Sequence, residues 1–365
     1  MLLASSFSAG VLAQNKTPTK NEEDEVVRVE TELVDVPVVV TDRAGKPVLN
    51  LKQNNFTVFE DGKTQEVTDF AATSAPFEVA LLLDTSGSTR SDLALIQRAA
   101  QSFIDSLRPG DRVSIIAFKT DDDGQRKTAA ADLVVALTDN RAALRSAVER
   151  VSTSNGTPYY DGLMQVVEKV FATAPKEQFR GRRALVALTD GVDSTSVSGF
   201  DEAREGLEEA GIVCYFIEVD TRPFFEEGLL GSCEGGAVTR FSAAQIRRYF
   251  RSFGSKSNVE QTSNFCELGD FERLAISKKL YEIADFEMNI VAKRSGGKVF
   301  PAGDLNDARA AFKSVAAEIG TKYSLGYYSS NGKRDGSYRK IRVELRGLPL
   351  GVQVRAREGY TAPVN

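Results

Sequence analysis

Five short apolar runs, separated by segments with a helical spacing of apolar residues, constrain the fold of this sequence most. Each run is dominated by Val, Ile, Leu, Ala and Phe with little polar alternation, which is typical of strands buried on both faces. The runs are 79–83, 113–118, 133–137, 184–188 and 212–219. Helical periods lie between or after most of them, at 91–107, 141–151, 158–171, 201–210, 271–293 and 305–319. This alternation predicts an α/β fold with a doubly wound, mostly parallel, Rossmann-like sheet.

The two ends of the sequence differ in pattern from the middle. Residues 27–75 and 322–365 alternate β-branched and polar residues between turn sequences, which predicts antiparallel strands. Neither segment is large enough to bury a good core alone. We therefore expect them to pack together as a β-sandwich, with a domain at 77–320 inserted into it or flanked by it. Pro37 has no backbone N–H, so its strand is expected at a sheet edge or at a bulge.

The composition excludes several classes of function. With 365 residues, of which 42% are hydrophobic and 27% charged, the chain is an ordinary globular one. A net charge of -5 argues against a nucleic-acid partner. There is no histidine, which excludes Ser-His-Asp and Cys-His catalysis as well as zinc sites with histidine ligands.

The first 14 residues resemble the end of a secretory signal peptide, because 1–13 are apolar or small and uncharged and end in Val-Leu-Ala before Gln14. A polar linker follows at 15–26. The usual basic start is missing, so we expect a truncated signal that begins upstream, and the alternative is a disordered apolar terminus. No other segment reaches the roughly 18 apolar residues that a membrane span requires. The chain is therefore expected to be extracytoplasmic, either periplasmic or secreted.

Three cysteines are consistent with export. Cys214 lies in an apolar run and is expected to be buried in a strand. Cys233 and Cys266 flank an irregular stretch, and we expect them to form a disulfide, with three unpaired thiols as the alternative. That stretch belongs to an insert at about 221–264, which we interpret as a separable specificity element. The insert includes a possible helix at 242–253 with a basic face, which we expect to be solvated, with contact to an acidic partner or an anionic surface as the alternative.

Two of the apolar runs end in aspartate, at the strand ends where α/β folds bind ligands. Asp84-Thr85-Ser86-Gly87-Ser88 follows the first run, and Thr189-Asp190-Gly191 follows the fourth. A third loop places Thr157 before Pro158 as the expected N-cap of a helix. Carboxylate and hydroxyl oxygens are hard ligands suited to Mg²⁺, Mn²⁺ or Ca²⁺. The candidate metal ligands are Asp84, Ser86, Ser88, Thr157 and Asp190.

This set of residues resembles the metal-ion-dependent adhesion site of von Willebrand factor type A (vWA) domains. The resemblance covers about 77–320, and the flanking β segments are similar to those of a bacterial, acidobacterial-type vWA-related subfamily. It implies that Ser86, Ser88 and Thr157 contact the metal through their hydroxyls. It also implies that Asp84 and Asp190 support the metal mainly through water.

The resemblance implies a binding module without enzymatic activity. The expected cation is Mg²⁺, with Mn²⁺ or Ca²⁺ as alternatives, and the expected partner is a protein that presents an Asp or Glu to the metal in adhesion, scaffolding or assembly. A metal-assisted hydrolase stays open but has no general base placed by a motif. A structural envelope component with a cation for stability alone also stays open, as does the oligomeric state. The acidic run 121–124 lacks the spacing of a calcium loop and is interpreted as a hairpin turn.

Overall fold

Strands from both ends of the chain flank an alternation of strands and helices in this computed structural model. It describes residues 33–71, 75–86, 93–122, 124–231, 241–254, 265–303 and 305–364. The strands are β1 (Leu33–Thr41), β2 (Phe56–Glu60), β3 (Lys63–Gln65), β4 (Val67–Ala71), β5 (Glu78–Leu83), β6 (Arg112–Asp122), β7 (Lys127–Thr138), β8 (Arg183–Thr189), β9 (Val213–Val219), β10 (Lys298–Ala302), β11 (Tyr323–Tyr328), β12 (Tyr338–Leu345), β13 (Gln353–Ala356) and β14 (Gly359–Thr361). The helices are α1 (Leu93–Ser106), α2 (Arg141–Glu149), α3 (Tyr159–Gln165), α4 (Phe200–Glu209), α5 (Arg222–Leu229), α6 (Ala243–Arg251), α7 (Asp270–Ser295) and α8 (Leu305–Ile319).

The central sheet has six strands in the order β10-β9-β8-β5-β6-β7. All neighbours are parallel except β6 and β7, which form an antiparallel hairpin. Alternate residues of β5 belong to two separate cores: Leu81 packs with residues of α1, α2 and α8, and Leu82 packs with residues of α3, α4 and α7. Helices therefore cover both faces, which explains why the strands are apolar throughout. The predicted doubly wound, mostly parallel sheet is confirmed.

Two antiparallel sheets accompany the central one, in the orders β13-β1-β11-β4 and β14-β12-β2-β3. In each sheet a strand from the beginning of the chain pairs with one from its end: β1 with β11, and β2 with β12. The inner side chains of the two sheets share one core, in which Val36 and Leu325 of one sheet belong with Val58 and Val343 of the other. The expected antiparallel layers beside the α/β sheet are thus present, while the domain boundaries drawn from the sequence stay a prediction.

Pro37 was expected in an edge strand or at a bulge, and its strand as a whole is not an edge strand. Its strand, β1, lies between β13 and β11. The short strand β13 pairs only with 38–41, whereas Pro37 pairs with Ser324 of β11 on the other side. Pro37 therefore lies where β1 is paired on one side alone, a locally open position of the kind in which proline is tolerated.

The helices follow the predicted periods closely, except that α5 was not predicted and that Thr157 does not have its expected position. The helix that follows begins at Tyr159, Pro158 occupies the N-cap position, and no side chain caps it. Thr157, the predicted N-cap, therefore lies one residue before the observed N-cap position, so its side chain does not cap the helix. Helix α3 then continues as a π-helical turn at Val166–Val170. The predicted insert helix is present as α6, where Ser242 accepts a hydrogen bond from the backbone N–H of Gln245 at 3.1 Å.

The insert packs against the rest of the molecule. Val192, from the loop after β8, shares a hydrophobic core with Ile246 of α6 and with Ile276 and Leu280 of α7. This shared core argues against the expectation that the insert is separable from the fold. Within the described ranges, no helix combines the length and apolar character needed to cross a bilayer.

Two of the three cysteines, Cys214 and Cys266, lie within the residues that the structure describes. Cys214 is buried in β9 with a free thiol, as predicted. Cys266 is disulfide-bonded. Its predicted partner, Cys233, lies outside the described residues.

Candidate metal centre

The order of the central sheet places the two aspartate loops next to each other. Strands β5 and β8 are parallel neighbours in a register that pairs Leu83 with Leu188. The backbone N–H of Asp84 extends this ladder by donating to the carbonyl of Leu188 at 2.9 Å. Both chains then leave the sheet at its carboxyl edge, where ligands of such folds bind.

Hydrogen bonds connect all three predicted loops. The N–H of Ser154 donates to the carbonyl of Thr85 at 2.7 Å and joins the second loop to the first. The N–H of Thr157 donates to the Ser194 hydroxyl at 2.8 Å, and the N–H of Ser194 donates back to the Thr157 carbonyl at 2.9 Å. The Thr189 hydroxyl donates to Asp84 at 2.8 Å and joins the third loop to the first. The structure thus brings together the loops that carry Asp84, Ser86, Thr157 and Asp190.

Asp84 is buried, with 2% of its surface exposed. Its Oδ1 accepts the N–H of Ser86 at 3.0 Å, and its Oδ2 accepts the Thr189 hydroxyl. Burial raises the pKa of Asp84, and the hydrogen bonds from Ser86 and Thr189 oppose that rise. With these two donors and the Ser86 hydroxyl, the carboxylate accepts three hydrogen bonds from the protein, and it retains further acceptor capacity.

Asp190 is also buried, at 7% exposure. Its Oδ1 accepts the N–H of Val192 at 2.9 Å, and its Oδ2 accepts the hydroxyl of Thr221. Burial, followed by the nearby Asp84 carboxylate, raises the pKa of Asp190, and the hydrogen bonds from Thr221 and Val192 oppose the rise. The two aspartates are thus buried carboxylates close enough to repel each other.

No described lysine or arginine forms an ion pair with Asp84 or Asp190, so nothing in that part of the chain compensates their charge. Buried like charges are unfavourable unless a cation is present. The described residues also contain no group of three or more His, Cys, Asp or Glu side chains arranged around a metal. A cation here would have to use hydroxyl oxygens as well as the two carboxylates, and that donor set fits a hard divalent ion.

The hydroxyl-bearing candidates lie in the same loops. Ser86 is buried and hydrogen bonds to Asp84 through both its N–H and its hydroxyl. Thr157 is 8% exposed, and its hydroxyl makes no hydrogen bond with any residue that the structure describes. That hydroxyl is therefore available to a ligand. Ser88 lies outside the described residues.

The backbone conformation at position 191 explains why the Thr-Asp-Gly sequence ends in glycine. Its φ of +71° lies in the left-handed region, which side chains with a Cβ rarely adopt. A Cβ at this position would also lie 3.0 Å from the Met288 Cε of α7. Glycine therefore allows the chain to turn beneath α7 directly after Asp190.

Three residues around the site carried no role in the sequence analysis. Thr189 binds Asp84, Thr221 binds Asp190, and the Tyr281 hydroxyl lies 2.9 Å from the Thr221 hydroxyl. Thr189 and Thr221 are at or just after the end of a strand, so the rule that identified the aspartates could have found them. Tyr281 is in the middle of α7, and no local pattern indicates its position.

Comparison with protein families gives one match. Residues 79–192 match the family model of the von Willebrand factor type A domain. No curated protein matches the sequence.

Several solved structures are similar at low identity. The conserved hypothetical protein BatB from Bacteroides thetaiotaomicron is 19% identical over 67% of this chain and 98% of its own, with a TM-score of 0.40. A von Willebrand factor type A protein from Catenulispora acidiphila is 13% identical over 92% of this chain and 74% of its own, with a TM-score of 0.41. Proximal thread matrix protein 1 from the mussel byssus, with a zinc-occupied MIDAS motif, is 15% identical over 71% of this chain and 49% of its own, with a TM-score of 0.41. The family-model match at 79–192 supports a protein that carries a von Willebrand factor type A domain, which is often a metal-dependent protein-binding module.

Proposed function

We propose that this chain is an extracytoplasmic binding module without enzymatic activity, in which a divalent cation captures an acidic side chain of a protein partner. The proposed ligands are Asp84, Ser86, Ser88, Thr157 and Asp190. The supporting observation is the pair of buried carboxylates, Asp84 and Asp190, without a described counter-cation. A divalent ion would compensate their charge, and Mg²⁺ is the first choice, with Mn²⁺ or Ca²⁺ as alternatives.

The donor set also supports a binding role for the cation. If Ser86, Ser88 and Thr157 contact the ion through neutral hydroxyls, its charge is only partly neutralised by the protein. Such an ion attracts a carboxylate from a partner, and the surrounding surface supplies the remaining contact area. The proposal includes a vWA domain at 77–320 and β segments at 27–75 and 322–365. It also includes an export signal at 1–14, which lies outside the described residues with the linker at 15–26.

Metal binding is tested first, by thermal unfolding in EDTA and in increasing Mg²⁺, Mn²⁺ or Ca²⁺. The wild type should gain stability with metal concentration as RT ln(1 + [M]/Kd). Asp84→Asn removes a buried charge, so it should be at least as stable as the wild type in EDTA and gain little from metal. The matched control is Asp111→Asn, because Asp111 is a buried carboxylate that accepts the N–H groups of Phe77 and Arg108 at the opposite end of the sheet. This control should lose stability yet keep the full metal response.

Partner binding is tested next, by capture from the envelope and secreted fractions of the producing cell. The wild type should retain a protein in Mg²⁺ and release it in EDTA, whereas Asp84→Asn should retain none. A wild type that is stabilised by metal but captures nothing in a metal-dependent way would contradict the binding role. A wild type without any metal response would contradict the site itself.

A further inference from the structure

Asp190 is held by a chain of hydroxyls that begins on α7. Thr221 lies two residues after the end of β9, is 7% exposed, and donates its hydroxyl proton to Oδ2 of Asp190. The Tyr281 hydroxyl lies 2.9 Å from the same Thr221 oxygen. Asp190 is thus connected to a helix that contributes none of the proposed metal ligands.

The number of hydroxyl protons determines which group donates in each of these two hydrogen bonds. A threonine hydroxyl has one proton, and an ionised carboxylate only accepts hydrogen bonds. With Asp190 ionised, the Thr221 proton points to the carboxylate, and Tyr281 must then donate its own proton to Thr221. Two such bonds in series polarise and strengthen each other. The order Tyr281 to Thr221 to Asp190 therefore orients the carboxylate through two successive donors.

The other oxygen of Asp190 is held from the same side of the molecule. Oδ1 accepts the N–H of Val192, whose side chain is buried with Ile276 and Leu280 of α7 and Ile246 of α6. Both carboxylate oxygens thus bind donors that are anchored on α7 or on the insert core. The position of Asp190 consequently depends on how α7 packs.

We infer that Thr221 and Tyr281 are positioning residues for Asp190, and that α7 sets the cation affinity of the proposed site through them. This inference rests on the proposed function. Loss of a group that orients a metal-supporting side chain typically weakens metal binding by about 10–100-fold. The nearer residue, Thr221, should therefore affect affinity more than Tyr281.

The test uses Mn²⁺ as the probe, with free Mn²⁺ measured by electron paramagnetic resonance during titration of the full chain. Thr221→Val keeps the shape of the side chain and removes the hydroxyl, and it should weaken Mn²⁺ binding by about 10–100-fold. Tyr281→Phe should weaken it by a smaller factor, about 3–10-fold. Thr221→Ser restores the hydroxyl and should bind within about threefold of the wild type.

The matched control is Tyr327→Phe, which removes a hydroxyl that donates to the buried Glu60 carboxylate at 2.7 Å in the β-sandwich. It should reduce stability in EDTA and leave Mn²⁺ affinity unchanged. If Thr221→Val does not fold, the Mn²⁺ affinities of Tyr281→Phe and Thr221→Ser still test the inference. Wild-type affinity in both Thr221→Val and Tyr281→Phe would overturn this inference while leaving the proposed metal site intact, whereas no Mn²⁺ binding by the wild type would overturn the proposed function first.

Discussion

At the residue scale, Lys322 shows how a buried charge can oppose stability. Its side chain is 1% exposed, and its Nζ has no hydrogen-bond partner among the described residues. The amine lies 5.0 Å from the ring centroid of Tyr215. Burial lowers the pKa of Lys322 to about 7, the Glu318 carboxylate opposes that shift, and the guanidinium groups of Arg355 and Arg182 add to it. Lysine at this position therefore reduces the free energy of unfolding at neutral pH.

The pH dependence follows from the two protonation states. Between pH 7 and the ordinary lysine pKa of 10.5, the unfolded chain binds a proton at Lys322 that the folded chain releases, so stability rises with pH in this window. Lys322→Met should raise the free energy of unfolding by roughly 1–3 kcal/mol at pH 7, and the gain should shrink as the pH approaches 10. Urea denaturation across this range measures both effects. The exposed Lys340→Met is the control, and an equal gain at every pH would contradict the explanation.

The roles of single residues were predictable only where they depend on position in a strand. Asp84 and Asp190 follow apolar runs, and the parallel sheet then brings their loops together. Tyr281 and Lys322 have roles that arise from packing between distant segments, which no spacing in the sequence encodes. The same limit applies to Thr157, which does not cap the helix as expected because the helix begins one residue later than predicted, at Tyr159.

At the scale of elements, α7 connects the insert to the loops of the candidate site. Glu287 of α7 accepts the Tyr160 hydroxyl at 2.7 Å and a guanidinium N–H from Arg248 of α6. The same guanidinium lies over the Tyr160 ring, 4.9 Å from its centroid. Three helices thus meet at one largely buried ion pair, so the face of α6 that was expected to be solvated is partly an internal contact.

A double-mutant cycle tests this junction. Glu287→Ala leaves the Arg248 guanidinium buried without its partner, and it should reduce the free energy of unfolding by roughly 2–4 kcal/mol. Removing the side chains of both Glu287 and Arg248 should reduce the free energy of unfolding by less than the sum of the two single changes. The difference, which is the coupling energy, should be roughly 1–3 kcal/mol. Urea denaturation of the four proteins gives the coupling. The control cycle uses the exposed pair Lys279 and Glu282 on the same helix, where we expect a coupling below about 0.5 kcal/mol. Equal coupling in both cycles would contradict a special role for Glu287.

Elements with a strong local period were predicted well. Helix α8 has the predicted bounds, and α7 extends the predicted 271–293 by one residue before it and two after it, ending where Gly296 adopts a φ of +78°. The location of β1 inside its sheet and the packing of the insert were not predictable, because both depend on which distant segment lies alongside. Periodicity indicates the type of an element, whereas its neighbours are decided by the whole chain.

At the scale of the whole molecule, Arg182 holds the two places where the chain passes between the β-sandwich and the central sheet. Its side chain is 1% exposed and donates to the carbonyls of Ala75, Pro76 and Lys322 at 2.7, 3.1 and 3.2 Å. The guanidinium also lies over the Phe77 ring, 4.0 Å from its centroid. Burial lowers the pKa of Arg182 to about 10, so the group stays charged at neutral pH. One side chain therefore binds both connections at once.

Arg182→Met should separate the unfolding of the two regions. The substitution fills similar space but leaves the carbonyls of Pro76 and Lys322 without this donor, which should cost roughly 2–4 kcal/mol. Arg182→Lys keeps the charge without the planar fork and should recover only part of the loss. The contacts of Arg182 connect the β-sandwich to the central sheet, and hydrogen exchange followed by mass spectrometry measures whether the two regions unfold together. In the wild type, β1 and β11 should lose protection at the same urea concentration as β5 and β8. In Arg182→Met, β1 and β11 should lose protection at a lower urea concentration than β5 and β8. Arg145→Met, which removes an exposed ion pair with Asp105, should change neither stability nor the order of exchange. If the strands of both regions lost protection together in Arg182→Met, at the urea concentration of the wild-type unfolding midpoint, contacts other than those of Arg182 would join the two regions.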